Sequence, residues 1–331
     1  SAEARVAGRM IEAFSVNVDG TADPAAPRGR IGLTTRVDGK QIDAGSDVAY
    51  VSNRLSTSNL HVDIGPNKLT GGLDFSEQFL PQGNLAFDFP DIALLASFAG
   101  QQVQGDLKGT VNFVNAGDTP SVAIKAGGNA LTRSGMTITS PSIDMTLPNL
   151  RALTAEGTIR AASIGAGAQA LKDVALGIRR DDVATLFDLS AQFDNAPLSG
   201  AGSLTQNERS MTVAIDRFTA KPRGIDVALS RPAQIAIADG TVSLSELTIN
   251  AGNGRVVLDG QAGNNLNLTA TVTTLPATLA NAFVPNIDAA GAITGKIVAT
   301  GTATARSWLR ARLRHRLSAT TCNGATRSYA R

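Results

Sequence analysis

Cysteine, histidine and the large aromatics are nearly missing from this chain. Its 331 residues carry one Cys, two His, one Trp and two Tyr, and aromatic content is 4%. Those Cys and His counts exclude a zinc centre built from Cys/His ligands. Residues 1–305 hold no Cys at all, which fits an oxidising envelope compartment but also many cytosolic domains. Few Trp and Tyr also argue against a compact sandwich plugged by large rings. No apolar run reaches the length of about eighteen residues that a membrane-spanning helix needs; the longest, Ile92 to Gly100, is too short. No charged and apolar pair of regions at Ser1 marks a signal peptide. A start on Ser1 rather than Met is expected of a piece of a longer chain.

Charge is unevenly placed. The segment from Arg306 to Arg331 contains seven Arg and no Lys, Asp or Glu, together with Trp308, Cys322, His315 and Tyr329. Without it, 23 basic residues face 28 acidic ones, a net −5. The body therefore gives no electrostatic case for nucleic-acid binding. The strand rhythm stops near Thr302, so 306–331 reads as an atypical tail, disordered or out of frame. A genuine basic arm for nucleic acid or anionic lipid is the other reading.

What the chain does have is a strand rhythm and a repeat. Alternating apolar runs recur every 8–14 residues or so, such as Met211–Ile215, Ile225–Leu229 and Leu186–Ala191. Asp-Gly and Asn-Gly pairs at 19–20, 38–39, 239–240, 253–254 and 259–260 supply turn chemistry. Helical spacing is confined to residues 4–14, with Val6, Met10 and Phe14 on one face, and to 90–99 and 276–284. A unit of about fifty residues occurs twice, at Leu60–Gly109 and Leu247–Gly295. Each copy has an alternating strand, a Gly-rich turn (Gly65-Pro66-Asn67; Gly252-Asn253-Gly254), two more strands, a proline, a short apolar stretch and a G-x-x-x-G pair. The step from Pro90 to Gly105 is 15, as is that from Pro276 to Gly291. The expected fold is all-β: an elongated curled sheet, an open trough of many short antiparallel or parallel strands with a few short helices. Residues 1–14 form a short helix or linker, and 15–305 form the repetitive β region.

Catalytic chemistry has almost no candidates. His61 is the one His outside the tail, and its alternation puts it on the polar face of a strand. No G-x-S-x-G elbow is present to supply a nucleophile. The G-x-G matches at 165–167, 200–202 and 252–254 lack the strand-then-helix context of a dinucleotide loop and read as β-turns. Asp181-Asp182 after Arg179-Arg180 reads as a solvated turn. The pairs Gly105/Gly109 and Gly291/Gly295 sit among alternating residues, so they read as strand bends rather than helix-packing glycines. The expectation is a protein that is not an enzyme, with no cofactor and no metal.

The run from Leu247 through Gly254 to Ala262, then Leu266–Val272, Leu275-Pro276, Phe283 and Gly291–Gly295, resembles the TamB family of translocation and assembly module subunits and the wider AsmA-like superfamily. The resemblance covers about residues 15–304. It implies a periplasmic scaffold anchored to the inner membrane through a segment missing from this chain. It implies a trough whose apolar inner face carries phospholipid acyl chains toward the outer membrane. It also implies work with a TamA-like outer-membrane barrel in protein assembly and secretion. The residues expected to line the groove, by alternation, are Val62, Ile64, Met211, Val213, Ile215, Leu266, Leu268 and Val272. The competing reading is a secreted β-helix or adhesin-type passenger, whose repeats would close around their own core.

Overall fold

The computed structural model describes residues 4–302, apart from 7–8, 22, 24–25, 117–118, 151–153, 182–183, 208, 264 and 283–287, and also residues 316–317. The chain is 75% strand and 6% helical, so it is all-β, and every described strand pairing is antiparallel. It divides into two units, residues 1–167 with 173–180, and residues 168–172 with 181–331.

The first unit is a meander. Strands Arg9–Thr21, Arg28–Val37, Lys40–Val51, Arg54–Ile64, Asn67–Phe75 and Pro81–Phe89 pair each with the next. Helix Ile92–Phe98 follows, and the chain returns as Leu107–Ala116 beside Pro81–Phe89. Thr119–Gly127, Ser142–Asn149 and Thr154–Ala166 continue the ladder. The second unit repeats the plan with Thr185–Phe193, Ala196–Gln206 and Ser210–Ala220. The next rung is broken into Val227–Leu229 and Ala233–Ala238. Thr241–Ala251, Gly254–Ala262, Asn265–Pro276 and Ala292–Thr302 complete it. A 3-10 helix, Ala277–Ala282, sits where the first unit has its α-helix.

Both units thus contain strand, tight turn, strand, strand, short helix and returning strand. In one, Phe89 pairs with Leu107 across the helix. In the other, Leu275 pairs with Ile293. Each helix connection is tied by an Asn side chain that mimics a β-bridge. Asn67 donates to the Asp91 carbonyl at 2.9 Å and accepts from the Asp91 N–H at 2.9 Å. Asn281 donates to the Ala289 carbonyl at 3.2 Å and accepts from its N–H at 2.8 Å. A side-chain amide carries the same donor and acceptor as a peptide, so it satisfies both groups of a residue that has left the ladder.

Some local readings need correction. Residues 4–14 are not helical: Ala4–Val6 and Arg9–Thr21 are strands, paired Ala4 with Ile11 and Val16 with Leu33. Gly8 weakens a helix, and the period-2 set Phe14, Val16, Val18 finds a partner strand, so tertiary pairing overrides a one-sided helical spacing. Asp239-Gly240 and Asp38-Gly39 are turns with both residues at positive φ. Asp19-Gly20 and Asp259-Gly260, in contrast, lie inside strands. The hairpin turn near 253 is centred on Gly252-Asn253, and Gly254 already belongs to the strand. Gly200-Ala201-Gly202 is also strand, at a register shift. Of the Arg-rich tail, Arg316–Leu317 pairs with Gly295-Lys296, and the rest lies outside the described residues.

The N-terminal hairpin is fastened electrostatically. The Met10 N–H donates to Asp38 at 3.0 Å and the Arg9 guanidinium to the same carboxylate at 2.6 Å. Arg9 also reaches the Ser97 carbonyl and lies over the Phe98 ring at 5.4 Å. The Met10 N–H and then Arg9 hold the Asp38 carboxyl below its usual range, and Arg30 with Asn59 do the same for Asp47. A carboxyl with a lowered folded pKa stabilises above its unfolded value and loses that contribution as pH falls through the folded one. Protection of the Met10 amide against hydrogen exchange, corrected for intrinsic rate, is therefore expected to fall below about pH 4. Unchanged protection to pH 2 or so would refute the fastening.

Candidate functional site: an apolar sheet face

Residues directly opposite in an antiparallel ladder share a face, so the register shows what each face carries. In the second unit the chain of partners runs Phe187–Gly202–Ile215–Ala233. It continues Val213–Ile235–Leu244–Gly260–Leu268–Ala299. A third row runs Ile249–Val256–Val272–Gly295. All are apolar. The opposite face carries Asp188, Ser199, Thr219, Gln234, Ser243, Asn250, Asp259, Asn267 and Thr300, in the same ladders. Met211, Val213, Ile215, Leu266, Leu268 and Val272 therefore stand on one continuous apolar face.

The first unit has the same division. Val62 pairs with Ala44 and Leu69, and Ile64 with Ile42. Leu69 pairs with Phe87, Phe87 with Gly109, and Gly109 with Ala126. Phe87 and Phe89 stack on that face with centroids 5.0 Å apart. A Cβ on Gly109 would stand 2.8 Å from the Phe87 ring, and one on Gly202 would stand 2.7 Å from the Phe187 ring. In each unit a glycine thus makes room for a cross-strand phenylalanine. Val62 and Ile64 belong to the first unit, and the other six groove candidates to the second.

β-Bulges keep the face continuous where the sequence parity changes. Leu244 and Leu247 both face inward because the register shifts between them, with Glu246 at φ +41°. Val272 and Leu275 are joined in the same way through Thr274 at φ +50°. Leu60 follows Thr57 through Asn59 at φ +52°. Each extra residue bends its strand, so the device that corrects the alternation also curls the sheet.

Little covers this face. Among the described residues the larger aliphatic side chains that are buried are Val122, Met145, Val174 and Leu279; the other buried members of the hydrophobic core are Ala. Val62, Ile64, Met211, Val213, Ile215, Leu266, Leu268 and Val272 are all half-buried. A sandwich would bury such residues between two layers.

One part of the second unit is partly roofed. A cavity of about 430 Å³ is lined by residues that include Phe193, Phe218, Val256, Leu275 and Leu279, and every lining residue is apolar. Phe193 and Leu275 lie six strand spacings apart along the ladder, roughly 29 Å in a flat sheet. Their meeting around one small cavity shows that this sheet is curled. The 3-10 helices Pro222–Gly224 and Ala277–Ala282 form its roof through Pro222 and Leu279.

His61 stands on the polar face, half-exposed, with Nε2 3.3 Å from Asp43 and Nδ1 3.3 Å from the Asn59 carbonyl. The Asp106 carboxylate accepts from the backbone N–H groups of Asn129 at 2.9 Å and Ala130 at 3.4 Å, which joins two strand segments. The Asp181 N–H closes a turn onto the Ala184 carbonyl at 2.9 Å, and Asp182 lies outside the described residues. No group of three or more His, Cys, Asp or Glu side chains placed to hold a metal occurs among the described residues. No described helix is long and apolar enough to cross a membrane.

Sequence reasoning missed Phe193, Phe218 and Leu279. Phe193 continues the parity of Phe187 and Leu189, whereas Phe218 reaches the apolar face only because a register shift after Ile215 changes the parity of its strand. Leu279 lies in a helix, where strand alternation says nothing. No protein-family model, curated protein or solved structure matches this chain.

Proposed function

We propose that the chain is a non-enzymatic envelope scaffold whose apolar sheet face carries phospholipid acyl chains, as a TamB or AsmA-like protein would. The observation that supports this is the single-layered sheet with a continuous aliphatic face left half-exposed. Moving one CH₂ of an acyl chain from water onto such a surface gains about 0.8 kcal/mol. A lipid crossing an aqueous gap loses that gain at every methylene, and an apolar wall restores it along the way. The task requires no nucleophile, metal or nucleotide. On this reading the protein works in the periplasm, anchored to the inner membrane through a further segment. Its longer form assists an outer-membrane barrel partner in protein assembly. The antiparallel ladders weigh against the passenger reading, since a β-helix is built from parallel strands.

The test is a photo-crosslinking side chain placed on either face in cells. At Leu268 or Val213 it is expected to capture phospholipid; at Asn267 or Thr212, on the polar face, it is expected to capture none. Leu268→Asp should abolish capture at Val213 while costing under about 1.5 kcal/mol in stability, because a half-exposed carboxylate keeps much of its water. A Leu268→Asp chain that unfolds, with no adduct from either face, would show a closed core and overturn the proposal.

A further inference from the structure

We infer that the roofed end of the second unit is a seat for one acyl chain of a zwitterionic phospholipid, methyl end inward. This rests on the reading of the face as lipid-facing and adds which headgroup and which place. The cavity exists because small side chains floor it. Ala220 and Ala251 line it at 9% and 2% exposure, where a larger residue would fill the space. The pocket is open on one side, and a concave apolar lining of this kind accepts apolar ligands. Its 430 Å³ falls in the range of small-molecule sites.

Arg223 links the two parts of the roof. Arg223 sits in the left-handed region at φ 53°, and its N–H donates to Asp194 at 2.8 Å. Its guanidinium donates to the Asn281 carbonyl at 2.7 Å. Arg223 therefore ties the first 3-10 helix to the second and to the Asp194-Asn195 turn. The same end carries charge of both signs. Lys221 and Arg223 flank the lining residue Pro222, and Lys172 follows the lining residue Leu171. Lys221 pairs with Asp226 at 3.0 Å, Arg223 with Asp194 at 3.6 Å, and Lys172 donates to Asn195 at 3.4 Å. The Lys221 and Lys172 contacts are largely solvent-exposed, so they are weak and exchangeable, whereas Asp194 is only 24% exposed. A phosphate can take the cations while an ammonium takes the carboxylates, so a zwitterionic headgroup satisfies both. A fatty acid or a cationic surfactant satisfies one sign and meets the other as a like charge.

The test uses the full chain and radiolabelled palmitoyl lysophosphatidylcholine below its micelle concentration. Saturable binding of one molecule per chain is expected, with palmitate and hexadecyltrimethylammonium each at least roughly fivefold weaker. Arg223→Ala is expected to weaken binding about tenfold by loosening the roof, and Ala251→Phe to abolish it by filling the void. Thr212→Asp on the polar face should change nothing. Equal binding of all three amphiphiles, or full binding by a folded Ala251→Phe chain, would overturn the seat. If Ala251→Phe does not fold, a photo-crosslinker at Val256 decides. Adducts at both Val256 and Leu268 support the seat. Adducts at Leu268 with none at Val256 overturn the seat and leave the open-face reading standing; none at either overturns both.

Discussion

Asn67→Leu is expected to lower the stability of the first unit by about 2–4 kcal/mol in a denaturant titration. Asn67 is 1% exposed, the most buried large side chain among the described residues. Its amide bonds the Ile64 carbonyl at 3.2 Å and both peptide groups of Asp91. Leucine has the same number of side-chain heavy atoms but makes none of these bonds, so three part-buried backbone groups lose their partner. Asp91 is also the N-cap of helix Ile92–Phe98, accepting from the Leu94 N–H at 3.1 Å. The loss should therefore spread: exchange at Leu94 should rise with exchange at Asp91. Asn67→Asp, which keeps the acceptor, should recover part of the loss. A leucine variant within about 1 kcal/mol of the native chain would show that the amide bridge does not hold the helix.

Gly260→Ala is expected to cost a similar amount, roughly 2–4 kcal/mol, in the second unit. Gly260 lies mid-strand at φ +127°, where L side chains rarely go. A Cβ there would lie 2.0 Å from the Asn267 carbonyl oxygen and 3.0 Å from the Leu268 Cα. Both obstacles are backbone, so relief requires the strands to part beneath Leu268. Gly32→Ala is the control: no atom lies within 4 Å of its Cβ position, and its φ is ordinary. It should change stability by less than about 1 kcal/mol. Equal melting of the Gly260→Ala and native chains would mean that the strand relaxes at no cost.

Much of the fold was legible because an antiparallel meander is local. Asp239-Gly240 joins neighbours in sequence that are neighbours in space, and the turn residues state the connection. The strand that returns past each short helix was not legible, because its pairing spans the helix. The errors came where one pattern has two physical uses. Asp259-Gly260 provides the left-handed freedom of a turn, but the structure uses it for a close backbone approach within a strand. Residues 4–14 carry apolar side chains at helical spacing and, from Phe14 onward, at strand spacing. A partner strand decided between them.

The sequence by itself determined which side of each strand is apolar. Side chains alternate with period two, so Leu266, Leu268 and Val272 had to share a face whatever the sheet did. Only the tertiary structure decided that separate runs join into one face. Register does that, and the bulges at Asn59, Glu246 and Thr274 carry the face across changes of parity that read as noise in one dimension. Only the tertiary structure decided, too, that this face is left without a second layer and is roofed at one end by two short helices. Closure depends on curl, and curl is the sum of many small twists and bulges over strands far apart in the chain.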